Sequence, residues 1–184
     1  MNVFYLDNDP YVAAQYHCDK HVVKMIIEYA QLMSTAHRVL DGSLYIDKTA
    51  NGRNIKRWKL NDDRENILYK ASHINHPSGV WCRSSKHNYD WLYQLFYYLC
   101  NEYTLRYSRI HKTEELLSGI LMAAPLNIAD VSFSEPPPAM PDYCKIVNNS
   151  ISSYRKYYIE EKNKFATWKT SIPKWYQEKK YLTK

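Results

Sequence analysis

Residues 16–40, YHCDKHVVKMIIEYAQLMSTAHRVL, constrain the fold more than any other stretch, because they spell a helix that is apolar around most of its girth. His17, His21, Lys24, Glu28, Gln31, Thr35 and Arg38 interrupt that character. At 100° per residue the seven fall within about a 100° arc, a single polar stripe. Such a helix packs against neighbours on several sides, so the stripe faces either solvent or a cleft within the protein. In a cleft, Glu28 is a carboxylate with histidine or lysine one or two turns away, and partial burial beside other charges moves pKa values toward neutrality, where acid-base chemistry works.

The flanking residues set the limits of this helix. Asp9-Pro10 predicts an N-cap followed by proline at the first helical position, after an extended start from Val3 to Leu6. The helix either runs unbroken to Leu40 or restarts at Asp19, and His17 joins the stripe only in the first case. Asp41-Gly42 is a stop. Residues 43–66 are polar and Gly-punctuated and read mostly as loop, with Arg53, Lys56, Arg57 and Lys59 around Trp58; residues 73–87 read as a second loop, dense in His and basic residues. Ser84 or Ser85 caps a helix over 87–110, in which Leu92, Phe96, Leu99 and Tyr103 recur at helical spacing and Glu102 and Arg106 form an i,i+4 pair. Thr113 starts a shorter helix through Met122, and Asp142 caps another from Tyr143 to about Lys164. Four prolines in SEPPPAMPDY make a crossing loop near 134–142. The expectation is a mainly α, compact single domain over 1–184, with a long N-terminal helix, a long middle helix and little or no β structure.

Four cysteines at irregular spacings, without a CxxC pair or a secretory leader, read as free thiols in a cytoplasmic protein, and no apolar run is long enough to span a bilayer. A net charge of +6 favours an anionic partner. Eighteen tyrosines and five tryptophans, many beside Lys or Arg, supply stacking faces next to phosphate-binding cations, the combination that holds unpaired bases; an aromatic-rich core is the alternative. The tail interleaves Trp168, Trp175, Tyr176 and Tyr181 with lysines. His37, His87 and His111 read as surface or capping histidines. His17 and His21 at i and i+4 can share a metal with Glu28, but the short zinc-protease pattern is absent, as is any Gly-rich phosphate loop.

DKHVVKMIIE, with Asp19, His21 and Glu28, resembles the first helix of the small phage pyrimidine-dimer DNA glycosylases, often called dimer-specific endonuclease V. YDWLYQLFYYLCNEYTLRY (89–107) is similar to that family's long middle helix, NHP (75–77) to a loop preceding it, and residues 157–176 to the end of the chain, where a Lys-bearing helix leads into an aromatic, basic segment that lies on DNA. In order, these pieces cover about half of the chain. The resemblance implies a compact helical DNA glycosylase and AP lyase, whose N-terminal α-amine attacks the sugar C1′ and forms an imine while a glutamate assists. An α-amine, with an ordinary pKa of about 7.7–8.0, has a usable unprotonated fraction at neutral pH.

Carried across, Glu28 takes the glutamate's part, His21 contacts DNA or orients the site, and Lys162 holds a phosphate. Asn2 is bulky enough that Met1 is expected to be retained, so its amine becomes the nucleophile, with Lys24 as a second imine-former once buried. The DNA-binding set comprises His17, Gln31 and Arg38 on the stripe, Arg83 and Lys86 in the 73–87 region, and Arg155, Lys162, Trp168, Lys174, Trp175 and Tyr176 toward the end. Ile27 and Gln31 stand where the family has basic residues, and the extra length points to a substrate other than a bare dimer. This reading needs no cofactor and no metal. It expects a monomer acting on duplex DNA with an extruded or modified base, in the cytoplasm, that of a host for a phage-encoded protein. Its rivals are a non-catalytic DNA-binding protein and a metal-dependent nuclease using His17, His21 and Glu28.

Overall fold

The long apolar helix forms, but only from Asp19 (α2, Asp19–Asp41), and a separate helix precedes it (α1, Pro10–Tyr16). This computed structural model describes residues 1–180, with side chains to residue 178; Tyr181 of the aromatic tail lies outside the described residues. Asp9 caps α1 by accepting from the Tyr11 amide at 2.8 Å. The break at His17 and Cys18, both extended, frees carbonyls that a distant residue collects. Arg106 donates to Gln15 O at 3.1 Å, to His17 O at 2.8 Å and to the Asp19 carboxylate at 3.1 Å. No local pattern announces a partner so remote in the chain, which is why the continuity of the helix stays open at the level of sequence.

Arg106 belongs to the long middle helix (α5, Lys86–Tyr107), capped by Ser85, which accepts from the His87 amide at 3.1 Å. Leu92, Phe96, Leu99 and Tyr103 are buried as their spacing predicts, and the Glu102–Arg106 pair, 2.7 Å, is buried with them. Helix α2 lies at the centre, packed against α5 and against two shorter helices (α4, Pro77–Ser84, and α6, Lys112–Leu121), with α1 laid on α5. His111, rather than Thr113, caps α6, accepting from the Thr113 amide. The Pro-rich segment is irregular as expected, and its otherwise stranded carbonyls are taken up: Ser134 O accepts from Trp81 Nε1, Pro136 O from Ser150 Oγ and Pro137 O from Tyr154. Asp142 opens only a 3-10 turn (Asp142–Cys144); the helix beyond it (α7, Ser150–Glu161) is capped by Asn149. A last helix (α8, Lys174–Lys180) ends the described chain.

The loop expected over residues 73–87 is corrected: the stretch contains α4, with His76 as its cap and Pro77 at its first position. The start from Val3 to Leu6 lies in neither helix nor strand and is buried in the core. Residues 43–59, read as loop, form an antiparallel hairpin (β1, Ser43–Lys48; β2, Asn54–Lys59) with Ser43 opposite Lys59 and Lys48 opposite Asn54. Asn51-Gly52 at its tip, with Gly52 at φ +79°, was the available signal. Gly42, joining α2 to β1, admits no side chain, since a Cβ there would sit 2.5 Å from Arg38 O. With a short helix after the hairpin (α3, Arg64–Ile67), the fold is mainly α, eight helices and one two-stranded sheet among the described residues, and none of these helices is long and apolar enough to cross a membrane.

Candidate functional site

The polar stripe does not see one environment. At its start His17, outside the helix after the break, is fully buried: its Nδ1–H donates to Ala13 O at 2.7 Å, and its Nε2 accepts from the Tyr29 hydroxyl, also at 2.7 Å. Burial holds its pKa down at about 4. His21 is buried too, bonded through Nδ1 to Tyr158 at 2.5 Å and lying 4.3 Å, centroid to centroid, from Phe4; burial first, then His17 and Lys162, lower its pKa to about 2. At the other end, residues 65–72 cover the stripe. Gln31 donates to Lys70 O at 2.9 Å, Thr35 exchanges bonds with Ser72, and Arg38 is enclosed, giving five hydrogen bonds to Trp58, Glu65, Leu68 and Tyr69. Between these ends Lys24 and Glu28 remain open.

At that opening the chain begins. The Met1 amine lies 4.0 Å from Glu28 Oε2, with side-chain exposures of 9% for Met1 and 19% for Glu28, while Lys24 Nζ, 67% exposed, pairs with Oε1 at 3.1 Å. The segment that brings Met1 here is pinned from α2. The Phe4 amide donates to the Tyr29 hydroxyl at 3.2 Å, and that hydroxyl donates onward to His17. Tyr29 is the residue after Glu28, so one hydrogen-bonded chain ties the start of the polypeptide to the turn that carries the carboxylate. Arg155 secures the same segment from α7, donating to Leu6 O and to Asp7. Ser78 Oγ, on α4, holds Met1 O at 3.4 Å.

His76 completes the surroundings. As N-cap of α4 it accepts from the Ser78 amide through Nδ1 at 3.2 Å, so the proton of its neutral ring sits on Nε2. Burial, then the charge of the Met1 amine, hold its pKa below the ordinary histidine value while Glu28 pulls the other way, which puts it within electrostatic reach of both. The sequence reading passed over His76, although NHP, a polar residue before an N1 proline, marks the cap. Tyr29 and Phe4 were missed for another reason: in sequence they are ordinary core residues.

The remaining candidates divide. Lys24 joins Glu28 but lacks the burial asked of an imine-forming lysine. His17 and Arg38 are corrected from DNA contacts to interior residues. Arg83 donates to Ile74 O and keeps a buried Nη1 without a partner; Lys86 is paired with Asp90. Arg155 lies over the Tyr16 and Trp175 rings. Trp168 donates to Tyr16 O and packs against Tyr176 with the rings tilted, 4.7 Å between centroids, so the aromatic tail folds back on α1 and α7 rather than standing out as a platform. Lys174 is exposed, and Lys162 sits over the Tyr157 ring at 4.2 Å. His37, expected at the surface, is buried between Tyr89 and Arg64. All four cysteines are free and buried, and burial raises their thiol pKa values.

The three proposed metal ligands do not converge, since both ring nitrogens of His17 are engaged in the core; among the described residues no group of three His, Cys, Asp or Glu is placed to hold an ion. A separate open pocket of about 470 Å³, lined by Gln15, Tyr16, Leu105 and Pro173, shares none of the Met1 site's residues, and its one acid, Glu102, is paired with Arg106. No family model, no curated protein and no solved structure matches this chain.

Proposed function

We propose that this protein is a DNA glycosylase with AP lyase activity that works through an imine. In this mechanism the Met1 α-amine attacks C1′ of an extruded nucleotide, and the glycosidic bond breaks with its electron pair leaving on the base. Opening of the sugar ring between C1′ and O4′ then gives the imine, and Glu28 carries the proton from the amine to the ring oxygen. Loss of a C2′ proton expels the 3′ phosphate, and water releases the amine. The observation that carries the reading is the 4.0 Å separation of the Met1 nitrogen and Glu28 Oε2 at a partly open site. That distance sets a nucleophile and a proton carrier side by side in one hollow, so that both can reach the C1′–O4′ side of a sugar that enters beside them.

Borohydride trapping on an abasic duplex tests it. Wild type gives a covalent adduct; acetylating the N-terminus abolishes it, and Glu28→Gln lowers its rate by about 10²-fold or more, the usual contribution of one acid-base group. No adduct from a native N-terminus would overturn the reading, as would an adduct formed equally fast by Glu28→Gln. The Lys24–Glu28 ion pair favours a second reading, a DNA-binding protein on the same scaffold without chemistry. It predicts salt-sensitive binding, no product and indifference to Glu28→Gln.

A further inference from the structure

The hairpin that the polar loop turns out to be has an unpaid obligation: it presents apolar side chains to solvent. Alternate residues of a strand face opposite sides. On one face Ser43, Tyr45 and Asp47 stand across from Lys59, Arg57 and Ile55; from it Arg57 reaches Ala71 O at 3.2 Å, while Tyr45 is 41% exposed. The other face combines Leu44, Ile46 and Lys48 with Trp58, Lys56 and Asn54; Leu44 is 55% and Ile46 59% exposed. A two-stranded ribbon with open edges and an apolar face is an association hazard unless it has a partner.

Charge indicates which partner. Residues 43–59 hold five cations, Lys48, Arg53, Lys56, Arg57 and Lys59, against one acid, Asp47, and among the described residues none of the five has a carboxylate within ion-pair distance. Of these, Lys48 and Lys56 share the face of Leu44 and Ile46 and flank the apolar pair. The ribbon is also held in shape. Its tip is closed by Thr49 N–H to Arg53 O at 2.9 Å, Gly52 N–H to Thr49 O at 2.8 Å and Arg53 N–H to Thr49 Oγ1 at 3.1 Å. At its base Arg38 of α2 donates to Trp58 O at 3.1 Å, and Arg57 donates to Ala71 O, in the segment that Thr35 of α2 holds at Ser72. Glu28 and Asp41, where the hairpin begins, are separated by about 20 Å along α2 at 1.5 Å per residue. That length spans about six base-pair steps of a duplex.

We propose that the 43–59 hairpin is a second DNA-contacting element, a β-ribbon whose Leu44–Ile46 face enters a groove while Lys48 and Lys56 sit on the flanking phosphates, about half a helical turn from the nucleotide held at Met1 and Glu28. A two-stranded ribbon fits the major groove, and flanking cations release counterions from the phosphates they neutralise. The proposal rests on the reading of the protein as DNA-acting, and its test separates the two.

Binding of a labelled duplex carrying a tetrahydrofuran abasic analogue is measured by anisotropy across a salt series for three double variants: Lys48→Gln with Lys56→Gln, Leu44→Ser with Ile46→Ser, and, as a control for lost charge outside the hairpin, Lys145→Gln with Lys156→Gln. The first pair is expected to weaken binding on the order of tenfold and to flatten the slope of log K against log salt by about 1.8, or about 0.9 per phosphate contact. The apolar pair weakens binding and leaves the slope unchanged. Single-turnover trapping at saturating protein stays at the wild-type rate for both, because the hairpin touches no reacting atom. If the hairpin variants bind like the control pair while wild type binds and traps, the inference fails and the glycosylase reading stands. Binding that depends on the hairpin without any trapping sinks the glycosylase reading and leaves the ribbon. A hairpin-dependent dimer in sedimentation, or hairpin-dependent flotation with phosphatidylserine vesicles, each with DNA affinity unchanged, overturns the inference in favour of another partner.

Discussion

Replacing Tyr29 by Phe removes one oxygen and strands two polar groups. The Phe4 amide loses its acceptor at 3.2 Å and His17 Nε2 loses its donor at 2.7 Å, both in the interior, where water does not substitute. A buried donor or acceptor left without a partner costs about 1–3 kcal/mol, so the pair costs roughly 2–6 kcal/mol. The phenyl ring still fills its space, and no cavity term is added. For a chain of this length each kcal/mol lowers Tm by about 2–4 °C, which gives a fall of roughly 4–24 °C in a thermal melt followed by circular dichroism. The same oxygen positions residues 3–6 and, through them, Met1 over Glu28. Imine trapping by Tyr29→Phe, measured at a temperature where it is folded, therefore falls more than its affinity for DNA. A Tm within about 2 °C of wild type, with trapping unchanged, would show that the hydrogen-bonded chain neither holds the segment nor places the amine.

Three buried histidines make stability pH-dependent. His17 and His37 have pKa values lowered to about 4, and His21 to about 2, each chiefly by burial. Below the unfolded value of about 6.5 the unfolded chain binds the protons that the folded one refuses. Stability is therefore fully present above pH about 6.5 and is lost as pH falls toward the folded values, on the order of 2 kcal/mol per histidine by pH 5. Urea midpoints that stay flat between pH 7 and pH 5 would refute this. Arg38→Met breaks the 2.6 Å pair with Glu65 and strands the carbonyls that Arg38 serves, and is expected to cost about 3–5 kcal/mol in denaturant titrations.

The long apolar helix, its stop at Gly42, the middle helix with its Leu92, Phe96, Leu99 and Tyr103 face, and the irregular proline crossing were all legible, because each follows from spacing or from the stereochemistry of a few adjacent residues. The pairing of Glu28 with the chain's first nitrogen was legible as a question, since the stripe singled out the carboxylate but gave no distance. What the chain could not disclose locally was how its polar residues would be assigned. On an unbroken helix His17 and Arg38 would share the arc of Lys24 and Glu28; the break that removes His17 and the cover that encloses Arg38 depend on Arg106 and residues 65–72 arriving from elsewhere. Periodicity states which side of a helix a residue occupies; only the packed neighbours decide whether that side is core, cover or opening, because burial and hydrogen-bond pairing belong to the assembly of segments and not to any one of them. The hairpin shows the same division: its turn is written in Asn51-Gly52, whereas the exposure of Leu44 and Ile46 follows from where the end of α2 sets it down.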